Sequence, residues 1–188
     1  MTVYLIRHGK TLANEQHLYC GSTDLPLSDA GKIALSQLHH QIPSDFRYIS
    51  SGMLRANETL EILFPNTAYE VIPAFREVDF GKFEMHSYED LKDDPAYQAW
   101  ISGDNEANIP PEGESGLQMT QRALAAFQQV LEDGRNAVIV SHGGNIAALM
   151  AQLFPEEQKN RYQWQSPNGG GYQIVFENGN KHYSVMNG

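Results

Sequence analysis

One stretch limits the choice of fold more than any other in the chain. Ala137-Val138-Ile139-Val140-Ser141 is an apolar run that breaks off at His142-Gly143-Gly144. A short continuous apolar run with a turn signal behind it reads as a buried strand. Val3 to Ile6 is a second run of this kind, and it ends in Arg7-His8-Gly9. Phe46-Arg47-Tyr48-Ile49-Ser50 is a third, ending in Ser51-Gly52, and Tyr69 to Ile72 is a further short strand.

Helical patterns separate these runs. Ser28 to Ile42 reads as a helix with Ser28 as its N-cap and Pro43 just beyond its end. Met53, Ala56, Leu60 and Leu63 share one face of another, which Pro65 stops. Ser115 and Gln118 make a capping box ahead of Leu117, Leu124, Phe127 and Leu131, with Gly134 at the far end. A helix follows the 137–141 strand to about Phe154. Strands at 172–177 and 182–186, joined by Asn178-Gly179-Asn180, form a closing hairpin. Such alternation predicts a three-layer α/β sandwich with a largely parallel central sheet and helices on both faces. Residues 76–113 break the pattern. They are polar, interrupted by Pro95, Pro110 and Pro111, and read as a small helical lid insertion with short helices around 87–102. A length of 188 residues with 41% hydrophobic content fits one domain over 1–188.

In open α/β sheets, ligands bind beyond the carboxyl ends of the strands. Three such ends carry Arg7-His8-Gly9, Ser51-Gly52 with Arg55 following, and Ser141-His142-Gly143. Parallel strands bring two arginines and two histidines to one rim. Guanidinium forks match phosphate oxygens, helix N-termini add N–H donors, and glycines allow close backbone approach. Neighbouring arginines also disfavour imidazolium, which keeps a histidine neutral and nucleophilic. Two histidines are also a metal-ligand type, yet no H-x-x-x-H or H-E-x-x-H spacing occurs, and adjacent arginines repel a cation. No metal or cofactor is expected. The lone Cys20 makes neither an internal disulfide nor a cysteine-based zinc site.

Arg7-His8-Gly9-Lys10-Thr11 with Asn14 resembles the signature of the histidine phosphatase superfamily, which includes phosphoglycerate mutases. Four further blocks resemble it in order: Gly21 with Asp24 to Ser28 and Gly31; Ser51 with Leu54-Arg55-Ala56 and Thr59; Glu77 with Phe80-Gly81 and Glu84; and Ser141-His142-Gly143. The resemblance implies a phosphomonoester hydrolase that passes through phosphohistidine at His8. Arg7, Arg55 and His142 would bind the phosphoryl oxygens, and Glu77 would move the proton on the leaving oxygen. Thr11, Asn14 and Gly143 would add phosphate contacts.

Two positions depart from the commonest pattern: Lys10 stands where an acid is frequent, and Met85 where glycine is. Phe83-Glu84-Met85 with Tyr88 to Leu91 resembles the bacterial α-ribazole-5′-phosphate phosphatases of cobalamin nucleotide-loop assembly. That likeness makes Phe83, Met85, Tyr88 and Trp100 candidate contacts to a flat aromatic ring. A broad-specificity sugar-phosphate or phosphoglycerate phosphatase or mutase is the alternative, with a non-catalytic phospholigand-binding protein further off. The expected partner is a small phosphorylated substrate, and a homodimer is compatible with the hairpin edge. A net charge of −10 argues against nucleic acid. No apolar stretch reaches the ~20 residues of a membrane span. With no basic, apolar leader at Met1–Ile6, a cytoplasmic protein is expected.

Overall fold

A computed structural model describes residues 1–43, 45–104 and 106–188. Strands β1 (Thr2–Arg7), β2 (Arg47–Ser50), β3 (Glu70–Val71), β4 (Ala137–Ser141), β5 (Gly171–Glu177) and β6 (Asn180–Met186) form one sheet in the order β3-β2-β4-β1-β5-β6. The pairs β1–β4, β4–β2 and β2–β3 are parallel, while β5 joins β1 antiparallel and β6 closes the hairpin on β5. The expected sandwich is therefore the observed one.

Alternation along the central strands feeds two apolar layers. Val3 and Leu5 of β1 and Ala137 and Ile139 of β4 face one way. There they meet Phe127 and Val130 of α6 (Gly116–Asp133) and Ile146 and Met150 of α7 (Gly143–Leu153). Ile6, Val138 and Val140 face the other way, against Ala56 and Leu60 of α3 (Leu54–Leu63). β4 is buried at every position, as its unbroken apolar run requires.

Helix α2 covers only Asp29–Ser36, not the expected reach to Ile42. Its last turn tightens, with the Gln37 and Leu38 N–H groups donating to Ala34 and Leu35. His40 then ties the chain to the Gly169 carbonyl at 2.8 Å, and Ile42 packs against the α3 side of the sheet. Tertiary contacts thus win over the local helical pattern. A one-turn helix, α1 (Leu12–Glu15), follows β1 and was not anticipated.

The insertion carries α4 (Tyr88–Leu91) and α5 (Pro95–Ile101), separated where Asp94 caps α5 and Pro95 opens it. It has its own apolar cluster of Phe83, Leu91 and Tyr97, with Tyr19, Phe80 and Trp100 against it. Capping boxes at Ser87 and Ser115 and the left-handed Gly134 bound its neighbours as their sequences dictate. No described helix is long and apolar enough to cross a membrane.

Candidate active site

The rim where β1, β2 and β4 end gathers the histidines and arginines. His8 lies directly after β1, and its backbone N–H donates to the Ser141 carbonyl at 2.9 Å. The His8 and His142 ring centroids are 5.1 Å apart. Nδ1 of His8 sits 2.6 Å from the Gly9 carbonyl. A carbonyl only accepts, so Nδ1 carries the hydrogen and Nε2 keeps its lone pair. Burial holds the His8 pKa well below the usual imidazole range. Arg55 and then Arg7 push it further down, and the bond to Gly9 opposes them. His8 is thus a neutral imidazole with Nε2 aimed away from its own backbone tether.

His142 is fully buried and is also held well below the usual range, by burial first and then by Arg55 and His8. Arg55 Nε donates to its Nδ1 at 3.2 Å, which leaves Nε2–H to donate to Ser51 Oγ at 2.8 Å. The Arg55 guanidinium, 1% exposed, also donates to the Thr23 and Gly21 carbonyls at 2.9 and 2.7 Å. Those carbonyls belong to a loop wrapped around Glu84, whose carboxylate accepts from the N–H groups of Gly21, Ser22, Thr23 and Phe80. Thr59 completes this side. Its hydroxyl accepts from the Gly9 N–H at 2.9 Å and donates to the Arg55 carbonyl at 2.6 Å.

Arg7 ends β1 and donates to the Ser166 carbonyl at 2.7 Å, while its Nε is buried without a partner among the described residues. Burial lowers its pKa, and Glu77 opposes this. Neither Arg7 nor Arg55 has a carboxylate at ion-pair distance among the described residues. The buried Arg55, the half-buried Arg7 with its orphaned Nε and a free imidazole nitrogen make a receptor for a compact dianion.

Glu77 faces this point from the loop after β3. Its Oε2 accepts from the Gly144 N–H, at the start of α7, at 2.7 Å. Arg122 of α6 clamps the Glu77 loop by donating to the carbonyls of Ala74, Arg76 and Glu77 at 2.7–2.9 Å, and it is paired with Glu114. The two glycines of α7 are needed for space. A Cβ on Gly143 would lie 3.0 Å from Arg7 Cζ, and one on Gly144 would lie 2.5 Å from Glu77 Oε1.

Thr11 and Asn14 cap α1 reciprocally, with Asn14 Oδ1 accepting from the Thr11 N–H at 3.0 Å. Asn14 thus offers a ligand only its amide Nδ2, and Thr11, 1% exposed, serves the turn. A cavity of about 320 Å³ opens from Arg7, Glu77, Gly143 and Gly144 toward the insertion. Of the four proposed ring contacts, Trp100 lines it. Phe83 is 2% exposed inside the insertion's own core, so the contact expected of it is corrected. Met85 and Tyr88 are exposed side chains outside the cavity wall, which corrects those two as well. Met85 has φ of 60°, the left-handed region that favours glycine, so its departure from the common glycine falls at a strained position. The aromatic wall is instead Tyr19, Phe80, Trp100 and Tyr162. Tyr19 and Tyr162 come from outside the insertion, where no local pattern marks them. Arg122 likewise sits mid-helix without a signal of its own. No group of three or more His, Cys, Asp or Glu that could hold a metal ion occurs among the described residues.

Paired strand-end histidines flanked by Arg7 and Arg55 suit phosphoryl transfer, and residues 3–188 match the histidine phosphatase superfamily, branch 1. The chain belongs to that superfamily, and its chemistry is that of a phosphatase. Among its relatives is the adenosylcobalamin/α-ribazole phosphatase of Salmonella typhimurium, 33% identical over 164 residues that cover 82% of this chain and 80% of that one. A Yersinia enterocolitica protein named probable phosphoglycerate mutase is 29% identical, covering 82% of this chain and 75% of its own. The crystal structure of the α-ribazole phosphatase from Shigella flexneri superposes with a TM-score of 0.86 at 29% identity, covering 100% of this chain and 96% of that one.

Proposed function

We propose that this protein dephosphorylates α-ribazole 5′-phosphate in the assembly of the cobalamin nucleotide loop, through a phosphohistidine at His8. The observation that carries the chemistry is the pairing of a free, neutral His8 Nε2 with the buried Arg55 and the half-buried Arg7, neither at ion-pair distance from a carboxylate among the described residues. The substrate reading is supported by the relatives' activity and by the aromatic wall, which suits a flat benzimidazole body. A cytoplasmic location goes with this reading.

In the first step, Nε2 of His8 attacks phosphorus in line and the bond to the ester oxygen breaks. Arg7 and Arg55 stabilise the charge spread over the equatorial oxygens, and His142 joins them by turning its Nε2–H from Ser51 Oγ to the phosphoryl group. Glu77, in its protonated form, gives its proton to the departing alcohol oxygen. In the second step, water loses a proton to Glu77 and attacks phosphorus. The P–N bond breaks, releasing inorganic phosphate and restoring His8.

The test is hydrolysis of α-ribazole 5′-phosphate beside 3-phosphoglycerate and an aryl phosphate with an uncharged ring, in EDTA, with His8→Ala as control. A strong preference for α-ribazole 5′-phosphate that His8→Ala abolishes is the expected result. Comparable rates on all three esters would replace the substrate with a broad range. Activity that survives His8→Ala, or is lost in EDTA, would remove the phosphohistidine mechanism.

A further inference from the structure

Beyond Arg7, the cavity wall carries one more cation among the described residues, Arg161, in the short turn after α7. Arg161 Nη1 is bound to Glu106 Oε2 at 2.5 Å. Glu106 stands at the far end of the insertion, where its carbonyl accepts from the Leu117 N–H at 3.0 Å and so fixes it to the start of α6. The pair is built into the wall. A Cβ on Gly116 would lie 2.3 Å from Glu106 Oε2 and 2.8 Å from Arg161 Nη1. A Cβ on Gly144 would meet both Glu77 Oε1 and Arg161 Nη2, so Arg161 flanks the same glycine as the proposed acid. The body of a bound ester, leaving past Glu77, passes directly by this guanidinium.

Charge on the outer wall is consequently spent within the protein. Arg161 is paired with Glu106, and Glu114 with Arg122. An ester body bearing its own carboxylate or second phosphate finds no cation on this outer wall, among the described residues, that is not already paired, and it loses its water without a partner in return. An unpaired, desolvated charge of this kind rejects a substrate as effectively as a good contact selects one.

We propose that the Glu106–Arg161 pair is a charge filter on the leaving group, admitting phosphomonoesters with an uncharged body and turning away those with a second anion. The filter rests on the phosphatase reading above. Glu106→Gln keeps the shape and frees the guanidinium to grip a carboxylate in bidentate fashion.

The experiment measures kcat/KM for 3-phosphoglycerate and for an aryl phosphate with an uncharged ring in the wild type, Glu106→Gln, Arg161→Gln and the double variant, with thermal midpoints beside them. Glu106→Gln should raise the ratio of 3-phosphoglycerate to aryl phosphate about tenfold or more, the scale of one hydrogen bond to a charged group. The double variant should return that ratio to the wild-type level or below. Arg161→Gln alone should lower it further, to below the wild-type ratio. A ratio unmoved by Glu106→Gln, with both rates falling together, would make the pair a strut for the insertion and overturn the filter. A wild type that cleaves 3-phosphoglycerate as well as the aryl ester would overturn it too, with the phosphatase reading intact. A wild type inert toward every ester would overturn both.

Discussion

Glu84→Ala tests how far the site depends on a side chain that never faces the cavity. The carboxylate accepts from four backbone N–H groups, those of Gly21, Ser22, Thr23 and Phe80. Ser22 is exposed, so its N–H passes to water when the carboxylate is removed. Gly21 is buried, and an unpaired buried donor costs about 1–3 kcal/mol. The half-buried Thr23 and Phe80 N–H groups each lose a bond worth roughly 0.5–1 kcal/mol. The total is about 3 kcal/mol, which for a chain of this size lowers Tm by roughly 6–12 °C. The same loop presents the Gly21 and Thr23 carbonyls to Arg55, so kcat/KM should fall about tenfold or more even well below the new Tm. Glu84→Gln, with one acceptor oxygen, should lie between wild type and alanine in both readouts. Calorimetry and a steady-state assay on one preparation suffice. A Glu84→Ala protein with wild-type Tm and kcat/KM would refute the chain of support from Glu84 through the loop to Arg55.

Two further outcomes follow from the site. Because His8 and His142 are held below the ordinary 6.5 in the fold, the unfolded chain takes up protons first as pH falls. Their stabilisation is complete above 6.5 and lost below it, by about 2 kcal/mol for the pair between pH 6.5 and 5.5, or roughly 4–8 °C. His8→Gln should halve that drop in a pH series of melting curves, and equal midpoints from pH 7.5 to 5.5 would contradict the burial of both rings. Gly144→Ala places a methyl 2.5 Å from Glu77 Oε1, at the end of a flexible side chain. Its Tm should change by no more than a few degrees while kcat/KM falls roughly a hundredfold; full activity would free proton transfer from the seat at Gly144.

Much of this architecture was legible from local patterns, because the signals that set it are local. The unbroken apolar run at 137–141 has no polar position to offer solvent, so a central strand was its one comfortable place. His8 and His142 were legible because each ends such a strand, and a strand end fixes position without knowledge of packing. The far end of α2 was not legible, since the bond from His40 to Gly169 spans most of the chain. The cavity wall failed for the same reason. Aromatic residues of the insertion all look alike in sequence, and only packing decides that Phe83 turns into the small core while Trp100 faces outward. Glu106, Arg122 and Arg161 carry no pattern because their partners are distant carbonyls and acids.

The place of β1 bears on how the chain becomes active during synthesis. β1 is paired on one side with β4 and on the other with β5. Its last residues are pinned late in the chain: the Gly169 N–H donates to the Arg7 carbonyl, and Asn168 Nδ2 donates to the His8 carbonyl. The nucleophile and its seat lie 160 residues apart, so His8 is made long before the segment that fixes it. Non-local pairing of this kind folds slowly and only once the distant partner exists. A chain that lacks β5 and β6 therefore holds His8 on a strand paired on one side only, and phosphoryl transfer waits on that hairpin although none of its side chains touches the phosphoryl group.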